Sequence, residues 1–248
     1  MEHNHHHTNT EYLLHLADNA LVLGHRNSEW CGHGPILEQD IAITNISLDL
    51  IGQARNFYQY AAELTGGSCT EDSLAYLRDA GEFRNAVMAE LPKGDWAFTT
   101  LRQFLSSAFQ HLLYTNLAVG QDARLAGIAL KSLKEVTYHL RWSSEWVIRL
   151  GDGTEESNTR INFALLQLWP YHTEFFTAAA YETGTSNPVS LYGPWLHKVN
   201  SVFLEAGLAV PSTVVNRFSG KTGQHTDDLV NLLAEMQVLP RTYPDALW

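Results

Sequence analysis

The sequence predicts an all-α protein, a four-helix bundle with additional peripheral helices, on three observations. Apolar residues recur at three- and four-residue steps nearly everywhere, and no alternating strand pattern lasts. Four of these runs are long, at residues 11–26, 37–65, 96–119 and 123–150. The helix breakers fall between them, in the loop at 27–35, at Gly66-Gly67 and at Pro92-Lys93-Gly94.

In chain order, residues 1–10 form a His-rich head expected to be disordered, and residues 11–248 a single helical domain. The first helix turns Leu13, Leu16, Ala20 and Leu23 inward. The second, Leu37–Thr65, carries five formal charges, Glu38, Asp40, Asp49, Arg55 and Glu63. With apolar residues on every side it reads as a buried helix, crossed by a polar line of Asn45, Asp49, Gln53 and Asn56. Shorter helices are expected at 71–79 and 82–91. Asp95 can cap the third long helix and Asp122 the fourth. The inward stripe of the fourth reads Leu125, Ala129, Ser132, Val136, His139, Ser143, Trp146 and Leu150, and Gly151 suits its end. A fifth helix follows Thr154 until Pro170 ends or kinks it; another follows Ser190, and the last runs from Thr226 to near Pro240.

At 248 residues the chain can bury one large core. A net charge of −11 argues against phosphate-backbone binding and anionic membranes. Charged residues are 17%, below the roughly 25% of ordinary domains, which points to surface covered by other chains. Cys31 and Cys69 make neither a disulfide framework nor a CxxC pair, so a reducing cytoplasm is expected. No apolar run approaches the ~18 residues of a membrane span, and the N-terminus lacks a signal-peptide core.

Gly220-Lys221-Thr222 ends like a phosphate-binding loop, but the glycine required five residues earlier is Val215 and no strand precedes it. A turn before a helix is the better reading. Cys31 and His33 in WCGHGP carry no nucleophile signature. A carboxylate-bridged metal pair in a bundle needs Glu-x-x-His on two helices and a carboxylate from each of the others. The one Glu-x-x-His in the sequence is Glu2 to His5, in the head; three residues before His139 stands Val136.

The stretches SEWCGHGPILEQDIAITNISLDLIGQARNFYQYAAEL, LKEVTYHLRWSSEW and GQHTDDLVNLLAEMQ resemble the structural C subunits of bacterial phenylacetyl-CoA ring epoxidases, in order from about residue 17 to 248. The resemblance implies a ferritin-like bundle paired with a homologous catalytic subunit that carries the di-iron centre, served by a reductase. It places the catalytic subunit's ligand positions here on Asp18, Leu50, Gln53, Ser107, Val136 and His139. Three of these six supply neither carboxylate nor imidazole nor amide, so this chain is expected to hold no cofactor and to be non-catalytic. Asp49 is expected to face away from the interior, and the polar line around Asp49 and Gln53 to hold side-chain hydrogen bonds or an ion pair, with Arg55 and Arg141 as the candidate partners. Contact with the partner is expected at Trp30, His33, Tyr58, Trp142 and Trp146. A chain that is itself a di-iron oxygenase, or an unrelated helical scaffold, are the alternatives.

Overall fold

The computed structural model describes residues 2–182, 186–212, 218–244 and 246, with side chains from Thr10 onward. The chain runs as α1 (Glu2–Ser28), α2 (Leu37–Thr65), α3 (Glu71–Tyr76), α4 (Val87–Glu90), α5 (Trp96–Leu117), α6 (Ala123–Gly151), α7 (Glu155–Leu168), α8 (Thr173–Phe176), α9 (Tyr192–Glu205), α10 (Asp227–Met236) and α11 (Val238–Thr242), with short 3-10 turns between. There is no strand among the described residues.

Helices α1, α2, α5 and α6 form the bundle: α1 packs along α2, α5 along α6, and the two pairs meet. The expected inward residues of α1 are all buried, as are Leu125, Ala129, Ser132, Val136, His139 and Ser143 on α6. The peripheral pieces are unevenly placed. Helices α7 and α9 pack on α5 and α6, α4 on α1, and α10 on α4, while of these only α3 leans on α2.

Caps fall where expected at Asp95, Asp122 and Thr154. Asp40 closes the loop before α2, its two carboxylate oxygens accepting from the Gly32 and Gly34 amides at 3.1 and 3.0 Å. A Cβ at Gly34 would lie 2.7 Å from the Asp40 Cα, so that turn needs glycine.

Three expectations change. Helix α1 begins at Glu2 rather than near residue 11; with no proline or glycine before Gly24, nothing in the chain stops a helix there. The histidine side chains of the head lie outside the described ones. The helix expected over 82–91 is instead a 3-10 turn, an extended stretch and the single turn α4. Its amides are taken by side chains: Arg84 N donates to Asp18, Ala86 N to Asn19 and Val87 N to Glu174. Such bonds compete with helix formation. Finally, α2 is not buried all round, since Leu37, Ile41 and Leu48 are exposed.

Candidate functional site

The six central positions divide between hydrocarbon and hydrogen-bonded polar groups. Leu50 and Val136 are fully buried in the apolar core. Ser107 on α5 accepts from the Gln103 amide at 2.8 Å, and Gln103 in turn accepts from Asn27 at 2.6 Å. Gln53 donates to Glu135 across the α2–α6 seam at 2.9 Å, with the Tyr114 hydroxyl 3.4 Å from its carbonyl oxygen. His139, fully buried, places Nε2 3.0 Å from the Asp49 carboxylate.

The polar line holds side-chain hydrogen bonds at Asp49 and Gln53, as expected, but not to the candidate arginines. Asp49 reaches His139 without any turn of its helix, because its position faces the neighbouring helix rather than the bundle centre. Arg55 and Arg141 pair elsewhere, with Glu71 and Glu145. Of the line itself only Gln53 is buried; Asn45 lies on the surface.

Asp18 is committed to structure. Fully buried on α1, it pairs with the Arg78 guanidinium and also accepts from the Tyr58 hydroxyl and, at 2.7 Å, the Arg84 amide. Arg78 lies over the Phe83 ring, 4.2 Å from its centroid. Two divalent irons require several carboxylates to balance and hold them. Here one carboxylate is neutralised by an arginine, two positions are hydrocarbon, and the rest are a hydroxyl, an amide and an imidazole bound to Asp49. These donors do not fit a metal pair.

A second polar cluster, which periodicity could not show, joins α1 to segments more than 60 residues away. Lys221, buried, places Nζ 3.0 Å from Glu182 and donates to the Thr177 carbonyl at 3.1 Å. Its amide donates to Glu174. Glu182 also lies 3.9 Å from His15, whose Nδ1 is 2.7 Å from the Arg84 carbonyl. Alongside, Glu90 accepts from His225, Asn85 and the Thr226 amide at 2.6, 2.8 and 2.7 Å. His225 Nε2 faces the Phe83 carbonyl at 3.0 Å. Both ring nitrogens thus meet acceptors, which suits an imidazolium.

Burial sets the protonation of this cluster. It drops His15 to about 4, helped by the Lys221 charge, and lifts Glu174 to about 7 against its amide donors. Burial also pulls His225 down, but the hydrogen bond and charge of Glu90 and the Phe83 carbonyl outweigh it, and the ring ends above its ordinary value. Lys221 comes from the Gly220-Lys221-Thr222 turn, a 3-10 turn closed by left-handed Gly223. A Cβ on Gly220 would stand 2.1 Å from the Asn85 carbonyl oxygen. The glycine and lysine of the phosphate-loop lookalike are there to seat this turn.

Of the expected contact residues, Tyr58 and Trp142 are buried within the subunit, Tyr58 on Asp18 and Trp142 donating to Gln39 at 3.0 Å. Trp30 and Trp146 are half-buried beside Trp96, and His33 is exposed. A cavity of about 20 Å3 among His15, Asn19, Ser106, Gln110, Tyr114 and Phe175 has room for one water and none for a substrate. No helix among the described residues is long and apolar enough to cross a membrane.

Fold and site together define a ferritin-like helical bundle whose central positions are filled by packing and hydrogen bonds. The whole chain, residues 1–248, matches the model of the family described as phenylacetic acid catabolic protein, so the match extends through the head that the motifs left out. The chain belongs to that family. It is 44% identical over 245 residues, 96% of this chain and 98% of the relative, to the C subunit of the 1,2-phenylacetyl-CoA epoxidase of Escherichia coli (strain K12).

Proposed function

We propose that this chain is the non-catalytic structural subunit of a phenylacetyl-CoA epoxidase in aerobic phenylacetate catabolism. It holds no cofactor of its own and buries a face of a homologous catalytic subunit that carries the di-iron centre and receives electrons from a reductase. The assembly is cytoplasmic. What supports this reading is the filling of the six central positions, with Leu50 and Val136 in the apolar core where Glu-x-x-His pairs would begin. The name of the Escherichia coli relative supports the pathway.

The role that follows is mechanical. A rigid bundle with a satisfied interior can hold a partner's metal-bearing helices in register without competing for metal. Co-expression with the catalytic subunit tests it, read by mass, iron content and epoxidation. A stable hetero-oligomer active only with the partner, and iron-free chain once the His-rich head is removed, is the expected result. Two irons per trimmed chain, or turnover without a partner, would replace this reading by an oxygenase. Failure to bind the catalytic subunit would leave a scaffold.

His139→Ala separates packing from ligation. It removes a buried ring and its bond to Asp49, so we expect about 1–3 kcal/mol less stability in urea unfolding and unchanged iron in the complex. Iron loss from a folded variant would place the metal here.

A further inference from the structure

We infer that the cavity in the seam between α1 and α5 is a binding site for one ordered water, which donates to Gln110 Oε1 and His15 Nε2 and belongs to the native core.

The packing shows why there is space. Helices α2 and α6 approach each other closely, whereas α1 and α5 make no comparable backbone approach. Aromatic rings fill part of the gap, with Phe109 of α5 stacked on Phe175 of α8 at a centroid distance of 4.9 Å. These two rings wall the cavity of about 20 Å3, and of the residues that line it all but Asn19 are buried. A buried water needs about 10–15 Å3 and two to four polar partners. The volume suits a single molecule.

The first polar partner is Gln110. It is 6% exposed, and its Oε1 meets no hydrogen-bond donor among the described residues. A buried amide oxygen left unmet is costly. Turning the amide over would only set an unmet donor in the same place. Cavities that stay dry are lined by hydrocarbon, and this one is not.

His15 is the second partner, and its neighbours fix its chemistry. Nδ1 lies 2.7 Å from the Arg84 carbonyl oxygen, which can only accept, so Nδ1 carries the proton. Burial, with the Lys221 charge nearby, keeps the ring neutral and leaves Nε2 a lone pair. Two groups of the chain stand near that atom. Glu182, at 3.9 Å, is itself an acceptor engaged with Lys221. The Asn19 amide, at 3.5 Å, is at the far limit of a hydrogen bond and already donates to the His15 carbonyl at 2.7 Å. A water supplies the donor that neither provides. The Ser106 hydroxyl lines the same space and rotates to complete a third bond, the usual number for a buried water. Satisfied in this way, His15 stays a neutral acceptor, and Glu182 stays with its lysine.

Gln110→Met in the full-length chain tests this, because a wet and a dry cavity predict opposite signs. The thioether has the length of the amide but holds a water poorly. If the wild type binds water, the variant loses it and strands His15 Nε2, and melting should fall by about 2–4 °C. If the wild type is dry, the same change removes an unmet amide, and melting stays level or rises. Leu113→Met, on the same wall, alters packing without removing a polar partner. High-resolution crystal structures of the three proteins complete the test. The expected result is a water peak within hydrogen-bond reach of Gln110 and His15 in the wild type, kept in Leu113→Met and lost in Gln110→Met. No peak in the wild type, a peak that persists in Gln110→Met, or melting of that variant unchanged or raised overturns the inference.

Discussion

Replacing Asp18 by alanine is expected to lower stability by about 3–5 kcal/mol, the range for breaking a buried ion pair from one side. The loss falls on what remains. Arg78 stays buried against Phe83 with its charge uncompensated, and the Tyr58 hydroxyl and Arg84 amide lose their acceptor. Stabilities in this range are a large fraction of what a domain possesses. Urea unfolding of Asp18→Ala and of Asp18→Leu with Arg78→Met measures it. The double variant replaces the pair by hydrocarbon and should recover most of the loss. A deficit below about 1 kcal/mol in the single variant would mean that Asp18 does not anchor this part of the core.

Lys221→Met is expected to cost a similar 3–5 kcal/mol at neutral pH, with a dependence on acidity that identifies the cause. Without the ammonium, the buried Glu182 carboxylate loses its cation, and Glu174, which burial lifts to about 7, loses the Lys221 charge that holds it down, so its folded pKa rises further above the unfolded value. A carboxyl shifted upward binds its proton more readily when folded. Its stability is present below the unfolded pKa and is lost as pH rises through the folded one. The deficit of the variant should therefore be greatest near pH 7 and shrink as pH falls toward about 5. Glu174, already lifted to about 7 by burial, works in the same direction in the wild type. A deficit that stays constant between pH 5 and 7 would assign the effect to lost packing of the lysine stem.

The bundle was legible because its signals are local. Period, breakers and caps such as Asp95, Asp122 and Thr154 depend on residues within a turn or two of each other, and they place α2, α5 and α6 within two residues of their observed ends, missing only the early start of α1. The apolar character of α2 is equally visible and reads as burial, although its outer face is exposed; composition alone cannot tell a core face from an exposed one. The segment 82–91 reads as helix until one knows that Asp18, Asn19 and Glu174 take its amides. Those acceptors are distant in sequence, and no local pattern announces them.

The same limit applied to the site. The absence of Glu-x-x-His from α2, α5 and α6 is readable residue by residue, and so is the isolation of His139 on its stripe. Its partner Asp49 was not, because a side chain on a helix–helix seam is satisfied by the neighbouring helix, whose register the sequence does not state. Arg78, Glu90, Glu182 and His225 carried no motif. Lys221 did, and spacing ruled out phosphate binding there; its actual use is a buried ion pair, which only tertiary contact can show.

The linkage of Lys221 and His225 to the early part of the chain bears on the order of synthesis. Translation delivers His15, Asn85, Glu90, Glu174 and Glu182 before Lys221 and His225, which complete their surroundings. Until residues 221–226 leave the ribosome, those groups can be sheltered from water only at a steep free-energy penalty, and the nascent bundle stays open along that flank. Closure thus waits for residues 221–226, and a chain interrupted before them is left with wet, proteolytically vulnerable helices.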